Sequence, residues 1–153
     1  MTDVNTMPGH LIRRYHQASV AIFHARVAEL GYDLTPVQYA ALAKIEAQPG
    51  IDQATLAGLI AYDRTTIGGV VDRLVQKTYL VREVSATDRR ARVLKLTELG
   101  VTTLHRLGPA VEEAQQTMLS GLEPGEQAEF VRLLQKATAG VNQMSRAPLK
   151  ETD

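Results

Sequence analysis

The chain contains no cysteine and no tryptophan, and only two phenylalanines and five tyrosines among its 153 residues. Without cysteine it has no disulfide framework, no thiolate metal ligand and no thiol redox sensor. With so few rings the core has to be aliphatic, and apolar residues, at 44%, suffice for one without disulfides or metal. Long apolar runs are missing too: nothing approaches the roughly 18 uncharged apolar residues of a membrane span. The opening MTDVNTMPGH has no apolar h-region. A soluble, cytoplasmic protein with no membrane partner is expected. The four histidines, His10, His16, His24 and His105, show no metal-ligand spacing. No nucleophile elbow or phosphate-binding glycine loop occurs, so no catalytic residue, no metal, no cofactor and no enzymatic activity are expected.

Net charge of one sign is also absent, with 17 basic and 17 acidic residues. Its distribution is uneven. Between Tyr62 and Lys95 stand Arg64, Arg73, Lys77, Arg82, Arg89, Arg90, Arg92 and Lys95, against only Asp63, Asp72, Glu83 and Asp88. Eight cations over four anions leave +4 in this stretch and −4 in the rest. A basic segment in a neutral chain is the footprint of a face that meets phosphates, although a solvated charged face has the same composition.

Apolar residues recur at helical spacing from Pro8 to Leu30 (Leu11, Tyr15, Ala18, Ile22, and Val20, Phe23, Val27), and Gly31 stops this helix. Thr35-Pro36-Val37-Gln38 combines a cap, a proline for the first helical position and a glutamine that closes a capping box. The second helix ends at Pro49-Gly50. Asp52 caps a short third helix and Asp63 a fourth, whose buried stripe is Ile67, Val70, Val71 and Leu74. The period then changes: Leu80 to Val84 and Val93 to Leu96 read as two strands around the polar tip Ser85 to Arg90. Thr97 opens a long helix to about Gly121, Pro124 starts a last one to about Met144, and the tail Ser145 to Asp153 reads as frayed. The fold class expected is mainly α with a small β-hairpin wing.

Two short helices separated by Ala61-Tyr62 form a helix-turn-helix, whose second helix lies in a DNA major groove. With the apolar stripe turned inward, Thr65, Thr66, Gly69 and Arg73 fall on the opposite side, preceded by Arg64. Hydroxyls and guanidiniums there suit phosphates and base edges. Gly68-Gly69 costs roughly 1 kcal/mol per glycine in a helix. Either the backbone approaches DNA closely or a neighbouring helix packs tightly, and both explanations stay open. At the hairpin tip Arg89, Arg90 and Arg92 are placed to enter a minor groove. Asp88 is expected to orient the tip by a charge-assisted bond to one of these arginines; the bland alternative is a solvated charged turn.

Taken together, Leu56-Ala57, Asp63-Arg64-Thr65-Thr66, Val71-Asp72-Arg73-Leu74, Asp88-Arg89-Arg90-Ala91 and Leu96-Thr97-Glu98-Leu99-Gly100 resemble the pattern of the MarR family. The resemblance is detailed in the middle of the chain and extends by helix order to nearly all of it. It implies one domain over 1–153, with a winged helix-turn-helix lobe at 34–97 and dimerisation helices at 8–31 and 98–144. It departs at Gly68 and Gly69, where many members carry longer polar side chains, so which groups read bases is left open. It also implies a repressor that binds double-stranded DNA as a homodimer and leaves a pseudo-palindromic operator when a small effector, commonly an aromatic acid, binds.

Independently, the terminal helices are too apolar to stand alone. Leu104, Leu107, Val111, Met118 and Leu122 share one side, joined by Phe130, Val131, Leu133, Leu134, Val141 and Met144, and two-fold pairing is the commonest way to cover such faces. For an acidic effector, His10 and Arg14 lie four apart on one face of the first helix and suit a carboxylate, and Tyr39 offers a ring and a hydroxyl. Arg13 and His16 are alternatives; surface positions for the cations and a core position for Tyr39 are the competing reading. Against DNA binding stand two other functions: a winged helix used only for protein contacts, which has little need of an arginine-rich tip, and a small enzyme, for which no recognisable motif speaks.

Overall fold

The computed structural model describes residues 1–150. After a 3-10 turn at Val4–Thr6 come α1 (Pro8–Glu29), α2 (Pro36–Ala47), β1 (Ile51–Asp52), α3 (Gln53–Leu59), α4 (Ile67–Gln76), β2 (Leu80–Val84), β3 (Arg92–Leu96), α5 (Glu98–Met118) and α6 (Pro124–Gly140). A second 3-10 turn covers Asn142–Met144. The three strands form an antiparallel sheet in the order β1-β3-β2, with Leu80 opposite Leu96, Val84 opposite Arg92 and Ile51 opposite Leu94. This is a winged helix: α3 and α4 form the helix-turn-helix and β2–β3 the wing.

Local chemistry accounts for most boundaries. Thr35 Oγ1 accepts from the Gln38 amide and Gln38 Oε1 from the Thr35 amide, both at 3.1 Å, so the capping box is complete. Asp52 caps α3 through the Thr55 amide at 2.7 Å, and Thr97 caps α5 through the Gly100 amide at 3.0 Å. Helices α1, α3 and α4 all end in a left-handed residue: Gly31 (φ 81°), Ala61 (φ 52°) and Thr78 (φ 64°). In each the following amide reaches back to a carbonyl five residues earlier, as Tyr62 does to Ala57 at 2.9 Å and Tyr79 to Leu74 at 3.0 Å.

The core joins α1, through Phe23 and Val27, to Leu42 and Ile45 of α2, Leu56 of α3, the α4 stripe, Leu80, Leu94, and Leu104 and Leu107 of α5. Side chains of this size stabilise by about 1.5–3 kcal/mol each when fully buried.

Several expectations change. Asp63 does not cap α4: the helix starts at Ile67, and Asp63 instead builds the turn before it. Leu104 and Leu107, expected on the dimerisation face, are buried in the core. Helix α6 stops at Gly140 and fully buries no residue: Phe130 is half-buried against Tyr15, while Val131, Leu133 and Leu134 stay exposed. The tail is not frayed over Ser145 to Lys150: it folds back onto the end of α3 and the turn after it. The rest of the expected frayed segment, 151–153, lies outside the described residues.

Candidate nucleic-acid interface

Three residues, Arg64, Thr65 and Thr66, separate Asp63 from the first turn of α4, and the Asp63 carboxylate organises them. Its Oδ1 accepts from both the Thr65 amide and the Thr65 hydroxyl at 2.8 Å, and the Asp63 carbonyl accepts from Ile67 at 2.9 Å. The Thr65 amide, then its hydroxyl, hold the Asp63 carboxyl below the ordinary carboxylate range, and Arg146 adds to the effect. Arg64, Thr65 and Thr66 therefore project from a turn fixed by hydrogen bonds, and all three are exposed. Gly69 and Arg73 are exposed on the outer face of α4, opposite its buried stripe.

The two glycines are now separable from packing. A Cβ built on Gly69 would meet nothing within 4 Å, and one on Gly68 would make an ordinary 3.5 Å contact with Gln53 Nε2. No neighbouring helix of this chain demands a glycine at either place.

Wing and recognition segment enclose a cleft of about 410 Å³ lined by Asp52, Gln53, Ile67, Asp88 and the guanidinium-bearing Arg64, Arg90 and Arg92. Its two carboxylates are engaged locally. Asp52 binds the Thr55 amide and hydroxyl, and Asp88 Oδ1 accepts from the Arg90 amide at 2.9 Å. The expected bond from Asp88 to an arginine side chain is thus replaced by one to backbone, which shapes the tip while leaving the guanidiniums without a carboxylate partner. Arg92 Nη1 donates to the Arg89 carbonyl at 3.2 Å, and Arg89 is exposed at the tip. Among the described residues none of Arg64, Arg73, Arg89, Arg90 or Arg92 forms an ion pair with a carboxylate. Five exposed guanidiniums without an ion-pair partner, three of them around one cleft, are what an anionic polymer would satisfy.

One contributor has no signal in the sequence. Arg82 of β2 pairs with Asp72 of α4 at 2.7 Å and sets the wing against the recognition helix. Ten residues part the two in the chain, a spacing that belongs to no regular pattern.

The three residues considered for an effector are not brought together. His10 is half-buried and Arg14 exposed in the first turns of α1. Tyr39 packs edge-on against Phe23, ring centroids 6.1 Å apart, nine residues beyond Arg14 or about 13.5 Å of helix. It borders a shallow pocket of about 360 Å³ with Ala43, Glu46, Leu104, His105 and Gly108. Burial, and secondarily Glu46, raise the Tyr39 hydroxyl above its ordinary value of 10.0.

Residues 32–91 match the MarR family model. The HTH-type transcriptional repressor NicR of Pseudomonas putida is 30% identical over 134 residues, 88% of this chain and 84% of that protein. Among solved structures, the PcaV transcriptional regulator of Streptomyces coelicolor, in complex with its natural ligand, superposes with a TM-score of 0.83 at 35% identity, over 91% of this chain and 96% of that one. BpsR of Bordetella bronchiseptica, whose DNA binding is regulated by 6-hydroxynicotinic acid, gives a TM-score of 0.82 at 29% identity, over 90% and 97%. The chain belongs to the MarR family of DNA-binding transcriptional regulators. Its relatives are regulators and not enzymes, and no helix among the described residues is long and apolar enough to cross a membrane.

Proposed function

We propose that the protein is a homodimeric repressor that binds a pseudo-palindromic operator and leaves it when a small aromatic acid binds. The observation that carries the reading is the set of arginines without carboxylate partners, Arg64, Arg90 and Arg92 around one cleft, with Arg73 exposed on α4 and Arg89 exposed at the wing tip. In this account α4 enters the major groove with Thr65, Thr66, Gly69 and Arg73 towards the bases, and Arg89, Arg90 and Arg92 carry the wing into the adjacent minor groove. Asp88 acts on the tip through backbone. Residues 34–97 form the DNA-binding lobe, and 8–31 with 98–144 the dimerisation helices.

Dimerisation is supported by exposed apolar residues of α1 (Leu11, Ile12) and α6 (Val131, Leu133, Leu134); Leu11, Ile12 and Leu134 border a groove of about 530 Å³ with Tyr15 and Phe130. Two-fold pairing there sets the recognition helices one DNA turn apart, roughly 34–36 Å. The effector class is supported by the regulation of BpsR by an aromatic acid. His10 and Arg14 offer a carboxylate site at one end of α1, and Tyr39 a ring at the other. A ligand that prefers the spacing unsuited to DNA lowers operator affinity by its preference for that state.

The test is a titration against labelled DNA from upstream of the protein's own gene, with random DNA as control, fixed salt and a panel of aromatic acids. Specific binding abolished by one acid supports the whole reading. Specific binding untouched by every acid removes the effector class, and a monomer in sedimentation removes the pairing.

A further inference from the structure

Beyond α6 the chain returns to the helix-turn-helix. Asn142 closes the return: its Nδ2 donates to the Leu149 carbonyl at 3.0 Å and its Oδ1 accepts from the Leu149 amide at 2.9 Å. The Lys150 amide then donates to the Gly58 carbonyl at 2.8 Å, the same carbonyl that accepts from Ala61 at 3.3 Å in the end of α3. A Cβ on Gly58 would come within 3.2 Å of Lys150 Cβ and Cδ, so the absence of a side chain lets the tail lie close. Eight residues before Gly58 is rejoined, Asn142 still belongs to the turn that ends α6. In between, Arg146 Nε meets Asp63 Oδ2 at 3.2 Å. That is the oxygen Asp63 does not use for Thr65.

The turn held in this way is one that needs holding. Ala61 occupies left-handed backbone (φ 52°), which is unfavourable for an L-residue, and no side chain caps the start of α4. The Asp63 carboxylate spans the gap, with Thr65 on one oxygen and Arg146 on the other. Tail and turn enclose about 170 Å³ bordered by Tyr62, Asp63, Arg64 and Arg146, so Arg64 lies between the strap and the arginine cleft.

We propose that residues 142–150 are a strap that fixes the DNA-reading turn to the end of α6, with Arg146 a positioning residue acting through Asp63. The inference rests on the DNA-binding reading above and adds a route from the dimerisation helix to the recognition segment. Arg146 orients the turn from which Arg64 and Thr65 project; it is not itself a phosphate ligand.

The experiment compares the full-length protein with Arg146→Ala, Arg146→Lys and Asn142→Ala, the last releasing the strap without removing a charge. Two readouts are taken: affinity for a duplex selected by the wild-type protein from a randomised pool, against random DNA over a salt series, and hydrogen exchange of the Thr65 amide. Arg146→Ala and Asn142→Ala should lose about two- to fivefold in specific affinity, the range of an exposed ion pair. Random-DNA affinity, salt slope and thermal midpoint should stay as in the wild type, Thr65 should exchange faster, and Arg146→Lys should restore most of the loss. Adding Arg146→Ala to Asp63→Ala should cost nothing further. Unchanged Thr65 exchange in both strap variants overturns the proposal, and that readout needs no DNA. A loss on specific and random DNA alike with a shallower salt slope also overturns it, because Arg146 would then be a phosphate contact. A wild-type protein that prefers no sequence sinks the DNA reading instead, and exchange still decides whether the strap exists.

Discussion

Replacing Gly100 with alanine is the sharpest test of how the wing is fixed to α5. Gly100 is buried in the first turn of α5, and a Cβ there would overlap the Tyr79 carbonyl oxygen and lie 3.1 Å from its carbon. Optimal carbon–carbon separation is about 3.5–4.0 Å. The oxygen cannot swing aside freely, because it accepts from the Thr97 amide at 3.0 Å while Thr97 Oγ1 donates to the Thr78 carbonyl at 2.6 Å. Relief requires α5 to move away from the start of β2. Overpacking of this kind costs about 1–3 kcal/mol, and two weakened hydrogen bonds about 1 kcal/mol each. Against that stands a gain of about 1 kcal/mol from alanine over glycine in a helix. The expected net loss is roughly 2–4 kcal/mol, or about 5–15 °C in thermal midpoint for a chain of this size. Urea and thermal unfolding followed by circular dichroism, at fixed protein concentration because association shifts the midpoint, would measure it. A variant within about 0.5 kcal/mol of the wild type, or more stable, refutes the argument from close approach.

Three further outcomes follow from single residues. The Thr103 hydroxyl is buried in α5 without a hydrogen-bond partner among the described residues, so Thr103→Val should stabilise by roughly 1 kcal/mol in urea unfolding. Thr78, a β-branched residue at φ 64°, should yield about 1 kcal/mol of stability when replaced by glycine; a destabilised Thr78→Gly would show that its side chain matters more than its backbone. Burial, with Glu46 beside it, raises the Tyr39 hydroxyl above 10.0, so the neutral ring is the form the fold favours. The stability this contributes is complete below pH 10 and is lost as pH rises through the raised value. One tyrosinate step should therefore fall at higher pH than that of an ordinary tyrosine, and vanish in Tyr39→Phe.

Elements defined by local chemistry are legible in the sequence. The capping box at Thr35 and Gln38 and the inward stripe of Ile67, Val70, Val71 and Leu74 are spaced by the helical repeat itself, and both stand in the structure. What escapes is set by distant partners. Strand β1 is two residues long and exists only because Ile51 and Asp52 pair with Leu94 and Val93. Leu104 and Leu107 look the same in sequence whether they face the core or a second protomer. Asp63 has the composition of a cap, yet Thr65 and Arg146 claim its oxygens before α4 begins. In the interface, the cations are visible as a charge excess, but that Asp52 and Asp88 are engaged by neighbouring donors, leaving the guanidiniums unpaired, depends on turn geometry. The tail reads as polar and proline-bearing, and its docking on Gly58 is invisible until the chain is folded.

The central claim, that the unpaired arginines of the cleft meet DNA phosphates, is tested most directly by the salt dependence of binding. Operator affinity would be measured from about 50 to 200 mM salt for the wild type and for the triple variant Arg64→Gln, Arg90→Gln, Arg92→Gln. Each phosphate contact contributes about 0.9 to the slope of log affinity against log salt, so the variant should be shallower by up to about 2.7 per protomer and weaker throughout. A variant that folds as the wild type does and keeps both its affinity and its slope would contradict the account.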